Sequence, residues 1–453
     1  MVDIDSPVND IEVSKKTWFS IFFPLAWSGH TGLGLAIGVF GPTQPYLAQN
    51  VSVDVGTINY IWTGRSIGVC ITAIIAALVF RRNFRSTSYK LTFLAIAEII
   101  TGVFVIMTPF VYDFPLLIAM VTVYGMGLGL FDTADNSFIV YMLGPTKSRP
   151  FTQSLHAFVG VGFILGSFLV QPFLPEENTN EMAVCPGLNE TKHDRYTPTL
   201  IGGISSIKWP YIIIGIWHFL TATGLLVLGS YGKKLPQIFF EDSRDQEFQA
   251  KTFTNVKFWK TLLVMVYMYY FFSCGLEGFF QSMTYTYGLC GPLKMHSEEA
   301  AWLNSLYFGA FVFGRCSGII ISKYLEPSKL IVTSLLGCVL STLLLSIMAG
   351  TSKICLYIGT CMMGFAVSFQ FASGISWTAN LFNVTGKASF IFFLGAYSGF
   401  LSIPPVAGEI FTTYSNKVGF FYLSLAITIL HMLLFISMMQ VSKFKNANKI
   451  QNI

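Results

Sequence analysis

The chain has 453 residues, of which 53% are hydrophobic and only 11% charged, with 43 phenylalanines and a mean hydropathy of +0.60. Soluble domains carry about 25% charged residues, so the composition excludes an ordinary water-soluble fold and predicts a polytopic protein whose first partner is the lipid bilayer. The formal net charge of +5 lies mainly in short loops, with no basic run interleaved with exposed aromatics, so nucleic acid is not an expected partner.

Residues 1–19 begin MVDIDSPVNDIEVSKKTW, which is polar and partly acidic. They lack the basic n-region, short apolar core and cleavage site of a signal peptide, so the first membrane helix is expected to act as the targeting signal. A spanning helix needs about 20 largely apolar residues. Twelve such stretches follow, near 20–48, 57–80, 90–109, 114–141, 151–172, 209–230, 258–287, 299–322, 330–350, 354–381, 388–411 and 418–440. A charged segment, 231–257, divides them into bundles at 20–230 and 258–440, ahead of a tail at 441–453. The expected fold class is an all-α membrane protein with twelve transmembrane helices in two six-helix bundles. Placing both termini in the cytoplasm puts 20 Lys and Arg inside, 6 outside and two, Arg65 and Arg315, within the membrane. That bias is the one expected of a multi-pass protein in this orientation.

Span two holds GRSIG at 64–68, and span eight holds GRCSG at 314–318. The two lie 250 residues apart at matching depth and direction, which predicts two duplicated halves with a solute site between them near midplane. The glycines of each motif, four apart, permit close helix approach.

Span four carries LGLFDTADNSF. Asp132, Asp135 and Asn136 fall within roughly a 100° arc of that helix. An ionisable group at the bilayer centre costs about 2.5–3.5 kcal/mol on insertion scales and usually marks function. Asp132 is therefore the candidate ion-coupling carboxylate, with Asn136 beside it. Asp135, nearer the cytoplasmic end, is assigned a structural or gating role. In span five, Gln153 and His156 share a face. His156 is open to three readings: a proton relay, a sugar-hydroxyl partner or a satisfied core residue.

Span seven places Glu277 and Gln281 one turn apart, near Phe279 and Tyr285. Carboxylate, amide and ring together suit a sugar, whose hydroxyls need donors and acceptors while its C–H face stacks. Asn304 in span eight, with Gln370 and Trp377 seven apart in span ten, complete the candidate substrate-binding set. Arg65 and Arg315 are assigned structural or gating pairing. Glu98, Glu409, His30 and His218 carry no assignment. Asn189 lies in an external sequon, and Asn50 in a second one close to the membrane. Of the 8 cysteines, none forms a CxxC or zinc-like spacing. A Cys185–Cys290 bridge is disfavoured because it would tie the two halves together. P-loop, HExxH and GxSxG signatures are absent, so neither an enzyme nor a directly ATP-driven pump is expected, and no resident cofactor.

These features together resemble the major facilitator superfamily. LGLFDTADNSFIVYMLGPTKSRPFTQSLHAF resembles the span four to five region of fucose permease-type sugar symporters. FGPTQPYL, TGRSIG, LEGFFQSMTYTYG and GISWTANLFNVTGKASFIFFLGAYSG are similar to the animal sodium-dependent glucose transporter-like proteins. The resemblance covers most of residues 20–440. It implies alternating access, Asp132 as the position that takes the coupling proton, Asn136 as its neighbouring amide, and His156 where the permease pattern has a sugar-binding Gln. Gly41 stands where the permease has a second acid, and Asp135 where it has a small residue, so the coupling ion is open between proton, sodium and none. The expectation is a secondary active transporter of a small polar solute, foremost a hexose or related sugar, acting as a monomer in the plasma membrane. The alternatives are uniport of another small organic solute, or a non-transporting scaffold or channel-regulating subunit.

Overall fold

A computed structural model describes residues 6–79, 87–174, 185, 204–232, 256–381, 386–413, 417 and 419–450. Among these residues the regular structure is helical: α1 (Ser6–Gly38), α2 (Phe40–Asn50), α3 (Tyr60–Val79), α4 (Thr87–Met107), α5 (Phe114–Lys147), α6 (Arg149–Val170), α7 (Ile204–Gly232), α8 (Val256–Cys290), α9 (Ser297–Ile321), α10 (Pro327–Met348), α11 (Lys353–Val367), α12 (Gln370–Leu381), α13 (Gly386–Thr413) and α14 (Gly419–Ile450), with three short 3-10 turns. Ten stretches among the described residues, from Ser88–Phe110 to Gly419–Ser442, are long and apolar enough to cross a membrane.

The twelve expected spans correspond to fourteen helices because the first and tenth are each broken. Pro42 has no N–H to offer the Gly38 carbonyl, so the helical ladder cannot run unbroken there. Thr43 Oγ1 donates instead to the Val39 carbonyl, 2.7 Å away. In the tenth span Ser368 and Phe369 separate α11 from α12, and Ser368 Oγ donates to the Phe365 carbonyl at 2.7 Å.

The expected internal repeat is visible in the packing. In the first half α1 pairs with α6, α3 with α5, and α4 with α7; in the second α8 pairs with α13, α9 with α11, and α10 with α14. By span number these are the same three pairs twice. Each GRxxG motif serves its equivalent pair. Gly64 and Gly68 press on Ile118 and Thr122 of α5, while Gly314 and Gly318 press on Phe365, Ser368 and Phe369 at the end of α11. A Cβ on Gly64 would come within 2.9 Å of Thr122 Oγ1, so close approach depends on the missing side chain.

The halves meet through α3 with α13 and α6 with α9, again a symmetric exchange of equivalent spans. Their described contacts concentrate at one end of the molecule. Gly56 and Gly408 touch backbone to backbone. Thr63 Oγ1 donates to the Leu401 carbonyl over 2.6 Å, Phe163 lies against Phe308 with centroids 5.1 Å apart, and Tyr46 and Tyr285 hydroxyls are 3.3 Å apart. Lys417 adds to this end: it donates to the Phe411 carbonyl at 2.7 Å and lies over that ring. Burial holds its ammonium below the usual lysine range, and Asp54 partly opposes this. Further along the same pair of helices, Gly160 of α6 lies against Val312 of α9.

Cys185 and Cys290 form a disulfide at the sealed end. This corrects the expectation that the bridge is disfavoured because it would tie the halves together. Cys185 belongs to the long connection between α6 and α7, so the tie runs through a loop instead of joining two rigid helices.

Candidate functional site

α5 carries its polar groups on one face, but the structure splits them by depth. Asp132 keeps 19% of its side chain exposed. Asn136 Nδ2 donates to the Asp132 carbonyl at 2.8 Å and to Asp132 Oδ1 at 3.0 Å, so the amide orients the acid. Asp135 points the other way, into the first half, and is fully buried. His30 of α1 stands between the acids, with Nε2 3.5 Å from Asp132 Oδ1 and Nδ1 3.6 Å from Asp135 Oδ2. Its Nδ1 also lies 2.9 Å from the Ala26 carbonyl, an acceptor, so that nitrogen carries the hydrogen. His30 had no assignment from sequence; a lone imidazole inside an apolar span was the available signal.

His156, half-buried on α6, lies within electrostatic range of Asp132, His30 and Arg315. Arg315 is on α9, in the other half, with 22% of its side chain exposed. It approaches Glu277 of α8 at 3.9 Å and packs over Phe311 at 4.5 Å. Gln281 Nε2 donates to Glu277 Oε1 at 2.9 Å, one helical turn away. Arg65 of α3 lies over Trp62 at 4.5 Å and over Phe400 of α13 at 5.5 Å, and is in electrostatic range of Glu277. Tyr397, which no motif singled out, interacts with both Asp132 and Arg65. Asp132, His156 and Arg65 from one half thus meet Glu277, Arg315 and Tyr397 from the other. Acids, bases and a phenol, with the Asn136 and Gln281 amides bonded to two of the acids, converge where Asp132 and Arg315 remain partly exposed. This is an open centre whose donors and acceptors suit a polyhydroxylated solute and whose carboxylate suits a cation.

Not every expected residue joins this cluster. Asn304 is fully buried at the sealed end, donating to Ser167 Oγ of α6 at 2.6 Å, and Gly41 of α2 leaves it room. Gln370 turns to α10, donating to Cys338 Sγ at 3.3 Å, and Trp377 packs on Phe435 of α14 with centroids 5.3 Å apart. Both lie inside the second half. Gln153 is on α6, but its side chain lies outside the described residues, as do Asn189 and the 382–385 connection. Asn50 Nδ2, the atom a glycan would take, donates to the Pro109 carbonyl at 3.1 Å. Glu98 and His218 form a buried pair of their own, 2.6 Å apart.

Residues 26–404 match the Major Facilitator Superfamily. The human protein called sodium-dependent glucose transporter 1 is 30% identical over 414 residues, covering 89% of this chain and 76% of that protein. Among solved structures, a D-xylose-proton symporter superposes with a TM-score of 0.66 at 13% identity, covering 92% of this chain and 97% of the other. The E. coli fucose:proton symporter superposes with a TM-score of 0.58 at 15% identity, covering 92% and 98%. The two structures attest the fold.

Proposed function

The chain belongs to the major facilitator superfamily, and from that premise we propose that it is a secondary active transporter of a hexose or related small polar solute, coupled to an ion at Asp132. The observation that carries this reading is the cluster of ionisable groups drawn from both halves. A solute held by Asn136 and His156 on one side and by Glu277, Gln281 and Arg315 on the other would be released when the halves rock apart. The names of the sodium-dependent glucose transporter and of the two sugar:proton symporters support a sugar as solute and proton or sodium as the coupling ion.

Asp132 suits the coupling role because it is reachable from the open centre and sits in a nonpolar span, where its charge is unfavourable until a cation compensates it. With the N-terminus cytoplasmic, as the Lys/Arg bias favours, the sealed end faces outward and this conformation faces inward. The protein acts at the plasma membrane, as a monomer, with both termini inside.

The test is uptake of a panel of labelled sugars, D-glucose first, into proteoliposomes under imposed proton or sodium gradients. Wild type should accumulate at least one sugar under one gradient. Asp132→Asn should lose accumulation and retain counterflow exchange. Transport of none of the sugars, or undiminished accumulation by Asp132→Asn, overturns the reading.

A further inference from the structure

Behind Asp132, four helices of the first half contribute one row of titratable side chains. His30 of α1 touches Asp132 and Asp135 of α5; Asp135 is in electrostatic contact with Glu98 of α4; and Glu98 pairs with His218 of α7. His218 is wedged between helices by two glycines: a Cβ on Gly32 or Gly102 would come within 2.9 or 3.1 Å of it. Four of the five residues are fully or almost fully buried, and the row is poorly satisfied. Both carboxyl oxygens of Asp135, Oε1 of Glu98, Nε2 of His30 and Nε2 of His218 have no hydrogen-bond partner. An ionised carboxylate without a hydrogen-bond donor is strongly unfavourable at such depth. The row is therefore short of hydrogens.

We propose that Asp135 is a second proton-binding site of the carrier, loaded from Asp132 through the His30 imidazole and buffered by the Glu98–His218 pair. The transfer balances. A proton on Asp132 passes to the lone pair of His30 Nε2, leaving Asp132 anionic and His30 an imidazolium. The Nδ1 hydrogen, held by the Ala26 carbonyl and 3.6 Å from Asp135 Oδ2, then passes to Asp135. What remains is a neutral carboxyl and a neutral imidazole protonated at Nε2.

The groups that face this site are Asp132 on its own helix, His30 on α1, Glu98 on α4 and, through Glu98, His218 on α7. His156 of α6 faces it through both Asp132 and His30, with Arg315 of α9 beyond it, and Tyr397 of α13 faces it through Asp132. Lys90 of α4 lies over Phe138, one turn further along α5. A hard cation is a poorer occupant than a proton, because the imidazole ring stands between the two carboxylates, while such ions take oxygen ligands gathered on one centre. No metal-ligand cluster occurs among the described residues.

The inference rests on Asp132 as the coupling carboxylate, and its test is independent of any solute. Full-length protein in liposomes is titrated while infrared difference spectra follow the C=O stretch of protonated carboxyl groups. Wild type should show an Asp132 band, lost in Asp132→Asn, and a second band lost in Asp135→Asn. His30→Gln should uncouple the two bands so that each titrates alone. Glu98→Gln, which leaves Asp135 in place, should displace the second band without removing it, and keeps the test open if Asp135→Asn does not assemble. A spectrum unchanged by Asp135→Asn and by Glu98→Gln overturns the site. So does loss of the second band when sodium is added at constant pH, which would make it a cation site. If the bands behave as expected but no sugar is carried, the transport reading fails and the proton site stands. Sugar accumulation with an unchanged spectrum is the reverse.

Discussion

Asn304 of α9 donates to Ser167 of α6 across 2.6 Å, a fully buried hydrogen bond between the two halves. It ranks among the polar locks of the sealed end, and removing it leaves the Ser167 hydroxyl without its partner. Loss of such a bond costs about 1–3 kcal/mol. Asn304→Ala should therefore shift the population away from this conformation by roughly 5- to 150-fold. Distances between spin labels on the two halves at that end, measured in wild type and variant, check this; an unchanged distribution rejects Asn304 as a lock.

Gly56 and Gly408 meet backbone to backbone at the same end. A Cβ on Gly56 would strike the Gly408 carbonyl and lie 2.7 Å from Thr412 Cγ2. Overpacking of this kind costs about 1–3 kcal/mol, and backbone cannot rotate out of the way. Gly56→Ala should force the sealed end open. A cysteine placed at Thr63, which normally bonds Leu401 across the interface, should then react faster with a membrane-impermeant maleimide. Equal labelling rates would show that the contact yields without opening.

Glu277 accepts from Gln281 and faces Arg315. Glu277→Gln leaves the arginine without this counter-charge and the amide facing another amide. If these groups hold solute, the half-saturating concentration should rise about tenfold or more, the size expected for losing hydrogen bonds to a charged group. Binding measured on purified protein at equal folded amount is the readout. Unchanged affinity with reduced yield would assign Glu277 to folding alone.

The two external sequons should behave differently. Asn50 Nδ2 is engaged by the Pro109 carbonyl at the end of α2, so Asn50→Gln should leave the glycosylated mobility unaltered. Asn189→Gln should abolish the glycosidase-sensitive shift on a denaturing gel. A shift that persists in Asn189→Gln and disappears in Asn50→Gln would reverse the assignment.

Much of this fold was legible in the chain. Apolar length marks spans because a helix in lipid must satisfy its own backbone, and the duplicated GRxxG survived because both glycine pairs still seat a neighbouring helix. The breaks at Gly38 and Ser368 were less legible, since a short interruption leaves hydropathy unaltered. Helical spacing placed Asp132, Asp135 and Asn136 on one arc, but an arc does not say which edge faces the open centre. That is decided by α1, whose His30 divides the acids. The same limit applies to Gln370 and Trp377: they occur in the expected span but turn toward α10 and α14, as tertiary packing alone determines. Tyr397 went unnamed and Glu98 carried no assignment because their partners lie on helices distant in sequence.

The Cys185–Cys290 bridge changes the topology of the molecule. Peptide runs from the first half to the second through 231–257, and the disulfide returns from the second half to the loop of the first. The carrier is thus a covalent ring. From Leu174 to Cys185 the chain can reach about 35–40 Å when extended, and that reach sets the limit on how far the halves can separate at that end without breaking the circuit. A single proteolytic cut in 231–257 should open the ring without releasing a fragment, giving one band on a nonreducing gel and two after reduction.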